Sequence, residues 1–226
     1  MMAVPERLAV TQEARSTVRG REGSVPWVVI HRCVAVAQRL SGVHLTMLDP
    51  TPLGIRPLQA NDLPLLHRWF AAPQVSRWYR TEATLSCDGV VAKYGPRIKG
   101  QEPVQPFLIM YDALPIGYIQ TYLIDEVGAA PNLFPGDRAV AGLDLFIGDD
   151  AYLLKGLGVS ILHRFLDDVV FGALCATACV VDPERATIGA IRTYEKVGFH
   201  RLSAGQPQDN DPLTVLMRID ASEVRG

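Results

Sequence analysis

The sequence predicts an α/β protein, a mixed and mostly antiparallel sheet with helices packed on it. Three observations carry that expectation. Beyond Met47, β-prone runs and amphipathic stretches follow the order β, helices, ββ, β, α, β, α, β. Cys175–Val181 is apolar and β-prone, as a buried central strand should be. Gly198 stands just past the last helical stretch, the position where glycine closes a helix.

Each element has a local reason. Gly54–Leu58 is a short strand. Asn61 is placed to cap a helix reaching Phe70, with Leu63, Leu66 and Phe70 on one face and Pro64 tolerated in the first turn. Gln74–Arg80 and Leu85–Tyr94 read as further short helices. Phe107–Tyr111 and Ile116–Ile124 are β-rich runs joined by Asp-Ala-Leu-Pro, which predicts a hairpin. The Gly/Pro-rich stretch Asp125–Ala139 leads to a strand at Val140–Ile147. A helix from Gly158 to Phe171 carries Ile161, Leu162, Phe165 and Val169 at helical spacing, and His163 reads as a packed residue on it. Thr187–Val197 is the last helix and Leu213–Ile219 the last strand.

Composition narrows the class. A chain of 226 residues is ample for one domain with a sizeable core, with or without an appendage. With 48% apolar and 20% charged residues it is neither disordered nor fibrous. A net charge of −2 leaves no footprint for nucleic acid, and no apolar run reaches the ~18–20 residues that span a bilayer. Four cysteines are too few for a disulfide scaffold at this size, which favours the reducing cytoplasm; Cys175 and Cys179 read as buried thiols rather than a metal pair. The charge is unevenly spread. Residues 1–46 hold six Arg, three Glu and no Lys, a balance of +3, so residues 47–226 carry 16 basic against 21 acidic groups, or −5. All four lysines lie in the second part. Residues 1–46 therefore read as an N-terminal appendage, partly ordered or preceding a start at Met47, and 47–226 as the working domain.

Two stretches point to chemistry. Leu154-Lys155-Gly156-Leu157-Gly158-Val159 lies between a strand and an amphipathic helix. Its glycines let backbone N–H groups converge, and the helix N-terminus adds partial positive charge, which together suit a pyrophosphate. The spacing is neither a dinucleotide fingerprint nor a P-loop, and alone the turn reads equally well as plain helix entry. The second stretch is Ala190-Ile-Arg-Thr-Tyr194-Glu-Lys-Val-Gly198-Phe199. Ala190, Tyr194 and Val197 share one helical face there, and for a tyrosine taken alone a core ring with its hydroxyl at the edge is a stronger reading than catalysis.

The pair of motifs, about thirty residues apart, resembles the GCN5-related N-acetyltransferase (GNAT) family. Its fold implies two central parallel strands, here Val140–Ile147 and Cys175–Val181, that splay apart around acetyl-CoA. The resemblance implies donor contacts at Leu145, Phe146, Ile147, Leu154, Lys155, Gly156, Leu157, Gly158, Val159 and Tyr194. The family often has Gln or Arg three residues before the first glycine, where Leu153 stands here. Five segments, two of them within these motifs, resemble the aminoglycoside 6′-N-acetyltransferases: Pro115-Ile-Gly-Tyr118-Ile-Gln120-Thr-Tyr122, Ala141-Gly-Leu-Asp144, Lys155-Gly-Leu-Gly158, Val181-Asp182-Pro183 and Arg192-Thr-Tyr194-Glu-Lys. That likeness implies acceptor contacts at Trp78, Tyr79, Gln120, Tyr122, Asp144 and Asp182; Asp211, near the C-terminus, joins them as a carboxylate that compensates for an acid-poor loop before Val140.

The implied reaction is direct transfer. An amine must lose a proton before it attacks the thioester; Asp144 would accept it, and Tyr194 would protonate the departing thiolate. A domain at −5 suits a cationic small-molecule amine, and no metal is called for. The loop before Val140 offers one carboxylate, Asp137, where the resembled enzymes are acid-rich. The runner-up functions are a siderophore-type lysine N-acyltransferase and a non-catalytic acyl-CoA-binding module. The expected state is a monomer or homodimer in the cytoplasm, with neither nucleic acid nor membrane as partner.

Overall fold

The computed structural model describes residues 47–79, 86–127, 134, 137, 139–202 and 213–224. The appendage at 1–46 lies outside them, as does Asp211. The first strand is β1 (Leu53–Pro57). Asn61 does not cap the helix that follows. Instead a short 3-10 turn, Ala60–Asp62, is closed reciprocally by Gln59 and Asp62, and the Asp62 carboxylate also accepts two hydrogen bonds from Arg56 at 2.7 and 2.8 Å. Helices α1 (Leu63–Ala71) and α2 (Pro73–Tyr79) follow.

Helix α3 spans Cys87–Ile98, with the Ser86 hydroxyl accepting the Gly89 N–H at 3.0 Å. It runs past the predicted stop at Tyr94 and carries Pro96 inside its last turn. Local propensity argued for a stop at Gly95-Pro96. Burial of Tyr94 and the side-chain bonds of Arg97 override it, and that extension places Arg97 over the sheet.

Strands β2 (Val104–Tyr111) and β3 (Leu114–Leu123) form the hairpin. Its turn is only Asp112-Ala113, both with positive φ (47° and 63°), the conformation that matches strand twist in a two-residue loop. Strand β4 is Val140–Ile147, as expected. Helix α4 (Leu157–Phe165) continues through wider π-helical turns over Leu166–Ala173. That continuation, with Cys175 at φ 53°, shortens β5 to Ala178–Val181 and leaves Cys175 exposed rather than buried as expected, while Cys179 within the strand is buried. Helix α5 (Ile188–Val197) ends at Gly198 with φ 111°. The short β6 (His200–Arg201), β7 (Met217–Asp220) and α6 (Ala221–Val224) complete the described chain.

Among the described residues the strands make one sheet in the order β1-β2-β3-β4-β5-β7-β6, antiparallel except for β4 beside β5. Alternation along the strands sends side chains to two layers. Leu143, Leu145, Cys179 and Val181 join Ile161, Phe165, Ala190 and Tyr194 of α4 and α5 in one core. Leu108, Tyr118 and Phe146 join Leu66, Phe70 and Tyr94 of α1 and α3 in another, where Tyr118 and Phe146 stack at 5.5 Å. His163 proves exposed rather than packed, because it falls between the two buried pairs of α4. No described helix is long and apolar enough to cross a membrane.

Candidate active site

The site begins where the sheet opens. β4 and β5 pair at Val140–Ala178, Ala141–Cys179 and Gly142–Val180, and no further. β5 stops at Val181 while β4 runs on to Ile147, so a wedge separates them. On the α4/α5 side the wedge continues into a cavity of about 450 Å³. Leu145, Ile147, Leu154, Lys155, Gly156, Leu157, Gly158, Val159 and Tyr194 all border it, together with Met47, Leu162, Ala190 and Thr193. Phe146 does not: the strand alternation turns its ring into the opposite core, against Phe70 and Tyr118. Only its backbone belongs to the wedge.

The mouth of this cavity is a turn built to present N–H groups. Leu154 (φ 58°) and Gly156 (φ 80°) take left-handed conformations immediately before α4. A Cβ on Gly156 would lie 1.9 Å from the Met47 Cε, and one on Gly158 3.1 Å from the Thr193 methyl. Bare backbone is therefore what the turn offers, at a helix N-terminus that attracts phosphate. The Leu48 N–H donates to the Lys155 carbonyl at 3.1 Å and ties the start of the described chain to it. These features fit the pantetheine and pyrophosphate of coenzyme A: an apolar slot followed by an anion cradle. Tyr194, 2% exposed, packs edge-on to Phe199 at the inner end of α5.

Across the sheet stands Asp144. It is 1% exposed, and its Oδ2 accepts a hydrogen bond from Gln120 Nε2 at 2.7 Å. Gln120 Oε1 in turn accepts from Tyr118 Oη at 2.7 Å and from Arg97 Nη1 at 2.9 Å, and Arg97 Nε donates to Glu102 at 2.9 Å. Asp144 Oδ1 has no hydrogen-bond donor among the described residues. Burial pushes the Asp144 carboxyl up to about 7, against the opposing pull of the Gln120 bond and the charges of Arg97 and Lys93. A carboxyl poised near neutrality, with one oxygen tied and one open, can take a proton at physiological pH.

The remaining expected acceptor residues fall around it. The Tyr122 ring lies over Gly142, so closely that a Cβ there would meet Cε2 at 2.5 Å. Asp182 follows the end of β5 and is half-buried. Counting on from the Gly142–Val180 pair, Asp144 and Asp182 occupy matching positions on the two arms of the wedge. Trp78 and Tyr79 close α2, but their side chains, like Asp211, lie outside the described residues. Asp137, the carboxylate of the loop before β4, pairs with Arg218. Among the described residues no group of three or more His, Cys, Asp or Glu comes together as a metal site.

Sequence reasoning missed Lys93, Arg97 and the Tyr118 hydroxyl as neighbours of Asp144. The signal lay in the helical spacing of Lys93, Tyr94 and Arg97, which share a face only when the helix continues through Pro96.

Comparison with known proteins agrees with this fold. Residues 59–206 match the acetyltransferase (GNAT) domain family. The chain is 32% identical over 170 residues to an aminoglycoside N(6′)-acetyltransferase type 1 of Klebsiella pneumoniae, covering 75% of this chain and 84% of that protein. A solved structure of AAC(6′)-Ib with ribostamycin and coenzyme A superposes with a TM-score of 0.66 at 27% identity, over 76% of this chain and 96% of that one. A second, with paromomycin and acetyl-CoA, gives 0.63 at 28% identity, over 76% and 96%.

Proposed function

The chain belongs to the GNAT acetyltransferase family and is an N-acetyltransferase, and from that premise we propose that it acetylates the 6′-amine of an aminoglycoside antibiotic, with acetyl-CoA as donor. One observation carries the reading. Consecutive β4 residues divide the wedge, Leu145 toward the donor cavity and Asp144 toward the face of Gln120 and Tyr122. An amine approaching from the second face meets a proton acceptor within reach of a donor entering from the first. The relatives named for N(6′) acetylation, and the structures holding ribostamycin or paromomycin, point to the same acceptor class.

Acetyl-CoA supplies the thioester carbonyl that the amine attacks. The residues of this chain do the rest. The Gly156–Gly158 turn holds the pyrophosphate through backbone N–H groups. N–H groups of β4 beyond Gly142, which β5 does not pair, polarise the carbonyl. Asp144 Oδ1 receives the amine proton. The Tyr194 hydroxyl, at the cavity wall, protonates the leaving thiolate. Tyr122 and Asp182 hold the acceptor, together with the side chains of Trp78 and Tyr79 at the end of α2 and with Asp211, which lie outside the described part. Residues 47–226 form the catalytic domain, with 1–46 as an appendage. On the same reading it is a monomer or homodimer in the cytoplasm, acting without metal, nucleic acid or membrane; cysteine usage supports the compartment, and the acidic charge the exclusion of nucleic acid.

A thiol-release assay with acetyl-CoA against kanamycin, Nε-substituted lysines and spermidine tests the acceptor. Turnover with kanamycin, with the product acetylated at N6′ by NMR, is expected. Activity confined to the lysine derivatives would overturn it, and coenzyme A binding without thiol release on any amine would remove catalysis altogether.

A further inference from the structure

We propose that Arg97 is a positioning residue for the transfer, acting through Gln120 to fix how Asp144 is oriented and which proton it can carry. This rests on the reading of Asp144 as proton acceptor. The geometry is a buried relay from helix to strand. Arg97 sits in the last turn of α3 with its guanidinium 5.2 Å from the centre of the Tyr94 ring. Its Nε is held by Glu102, which leaves Nη1 aimed at Gln120.

The amide of Gln120 can serve Asp144 in only one orientation. Oε1 lies between two donors, Arg97 Nη1 at 2.9 Å and Tyr118 Oη at 2.7 Å. Turning the amide over would set Nε2 against both donors and Oε1 against a carboxylate, losing three hydrogen bonds at a residue only 5% exposed. With Nε2 so directed, Asp144 Oδ2 is engaged as an acceptor and Oδ1 is left as the atom to receive a proton. Gln120, first expected to touch the acceptor, is thereby a link within the protein.

The same relay sets ionisation. The groups facing Asp144 are Gln120 and Tyr118 from β3, and Lys93, Tyr94 and Arg97 from α3, with Glu102 behind Arg97 and Asp182 on the opposite arm of the wedge. Burial disfavours the charged carboxylate. The cations of Arg97 and Lys93, and the Gln120 bond, work against burial, and Arg97 contributes twice because it also fixes the amide.

Arg97→Met removes the charge and the fork, Arg97→Lys keeps the charge alone, and Gln120→Met breaks the relay while sparing Arg97. In kcat/KM against pH, Arg97→Met and Gln120→Met should move the acid limb upward by about one pH unit. Turnover at pH 6.5 then falls about tenfold, and the KM for acetyl-CoA is unchanged. Arg97→Lys should recover part of the shift. Titration of a 13C-labelled Asp144 carboxyl without substrate should move the same way. A uniform loss at every pH, or a rise in acceptor KM with the limb unmoved, would overturn the relay. Asp144→Asn separates the two ideas: full activity in that variant would overturn the underlying assignment, whatever Arg97 does.

Discussion

Asp144 and Leu145 are neighbours on β4 and face opposite sides of the sheet at the place where β5 leaves it. In an ordinary sheet such neighbours are insulated by the next strand. Here β5 ends after Val181, so the peptide unit between them borders both the donor cavity and the acceptor face. Period-two alternation thus gives each side its own residue: Leu145 borders the cavity and Asp144 faces Gln120.

Replacing Asp144 by Asn keeps an acceptor for Gln120 and removes the proton acceptor. Steady-state kcat with kanamycin should fall about 10²- to 10⁴-fold, the range for losing a general base. A loss below about threefold would mean that the amine arrives already deprotonated.

How far the sequence reached into this site depended on the scale of the signal. The order of elements was legible because each buried face is long, as in Ile161, Leu162 and Phe165 of α4. The anion turn and Tyr194 were legible because glycine conformation and helix register are local properties. Arg97 was not, because Gly95-Pro96 argued locally for a helix end and only tertiary contacts carried α3 through it. The turn of the Phe146 ring into the opposite core follows from alternation, and treating Leu145–Ile147 as one donor segment overlooked it.

Asp144 also makes stability depend on pH. Burial raises its carboxyl from the ordinary 3.8 to about 7, so between these limits the folded state holds a proton that the unfolded chain has lost. This contribution is fully present below about pH 4 and is lost as pH rises through 7. Asp144→Asn removes the dependence. Urea unfolding should show the variant more stable than the parent by a few kcal/mol at pH 8, with the gap closing toward pH 4. A constant difference across that range would contradict it.

Two glycines separate the donor and acceptor halves. Gly142→Ala places a methyl group 2.5 Å from the Tyr122 ring and must push it aside, so acceptor KM should rise while that of acetyl-CoA holds. Gly156→Ala forces a side chain into φ 80°, at about 1–2 kcal/mol, and should raise the KM for acetyl-CoA about tenfold instead. Initial-rate matrices in both substrates distinguish the two; identical effects would mean that the halves are not independent.

Tyr194→Phe keeps the ring against Phe199 and removes only the hydroxyl. Turnover should drop about 10- to 100-fold, toward the low end of general-acid effects because a thiolate is a good leaving group. Coenzyme A affinity by calorimetry should stay within about twofold. Unchanged turnover would remove Tyr194 from the chemistry and leave it a core residue.

The start of the domain can be tested by where the chain is cut. Met47 packs on Gly156, and the Leu48 N–H is bonded to the Lys155 carbonyl, so residues 47 and 48 brace the anion turn from outside the sheet. A chain beginning at Met47 keeps that brace, and its kcat/KM for acetyl-CoA should match the full chain within about twofold. A chain beginning at Pro52 keeps β1 but loses the brace. Its KM for acetyl-CoA should rise about tenfold, the equivalent of one exposed hydrogen bond plus the Met47 contact, with acceptor KM unchanged. If the cut at Met47 already weakens donor binding, the basic residues of 1–46 belong to the working enzyme and the domain is larger than 47–226.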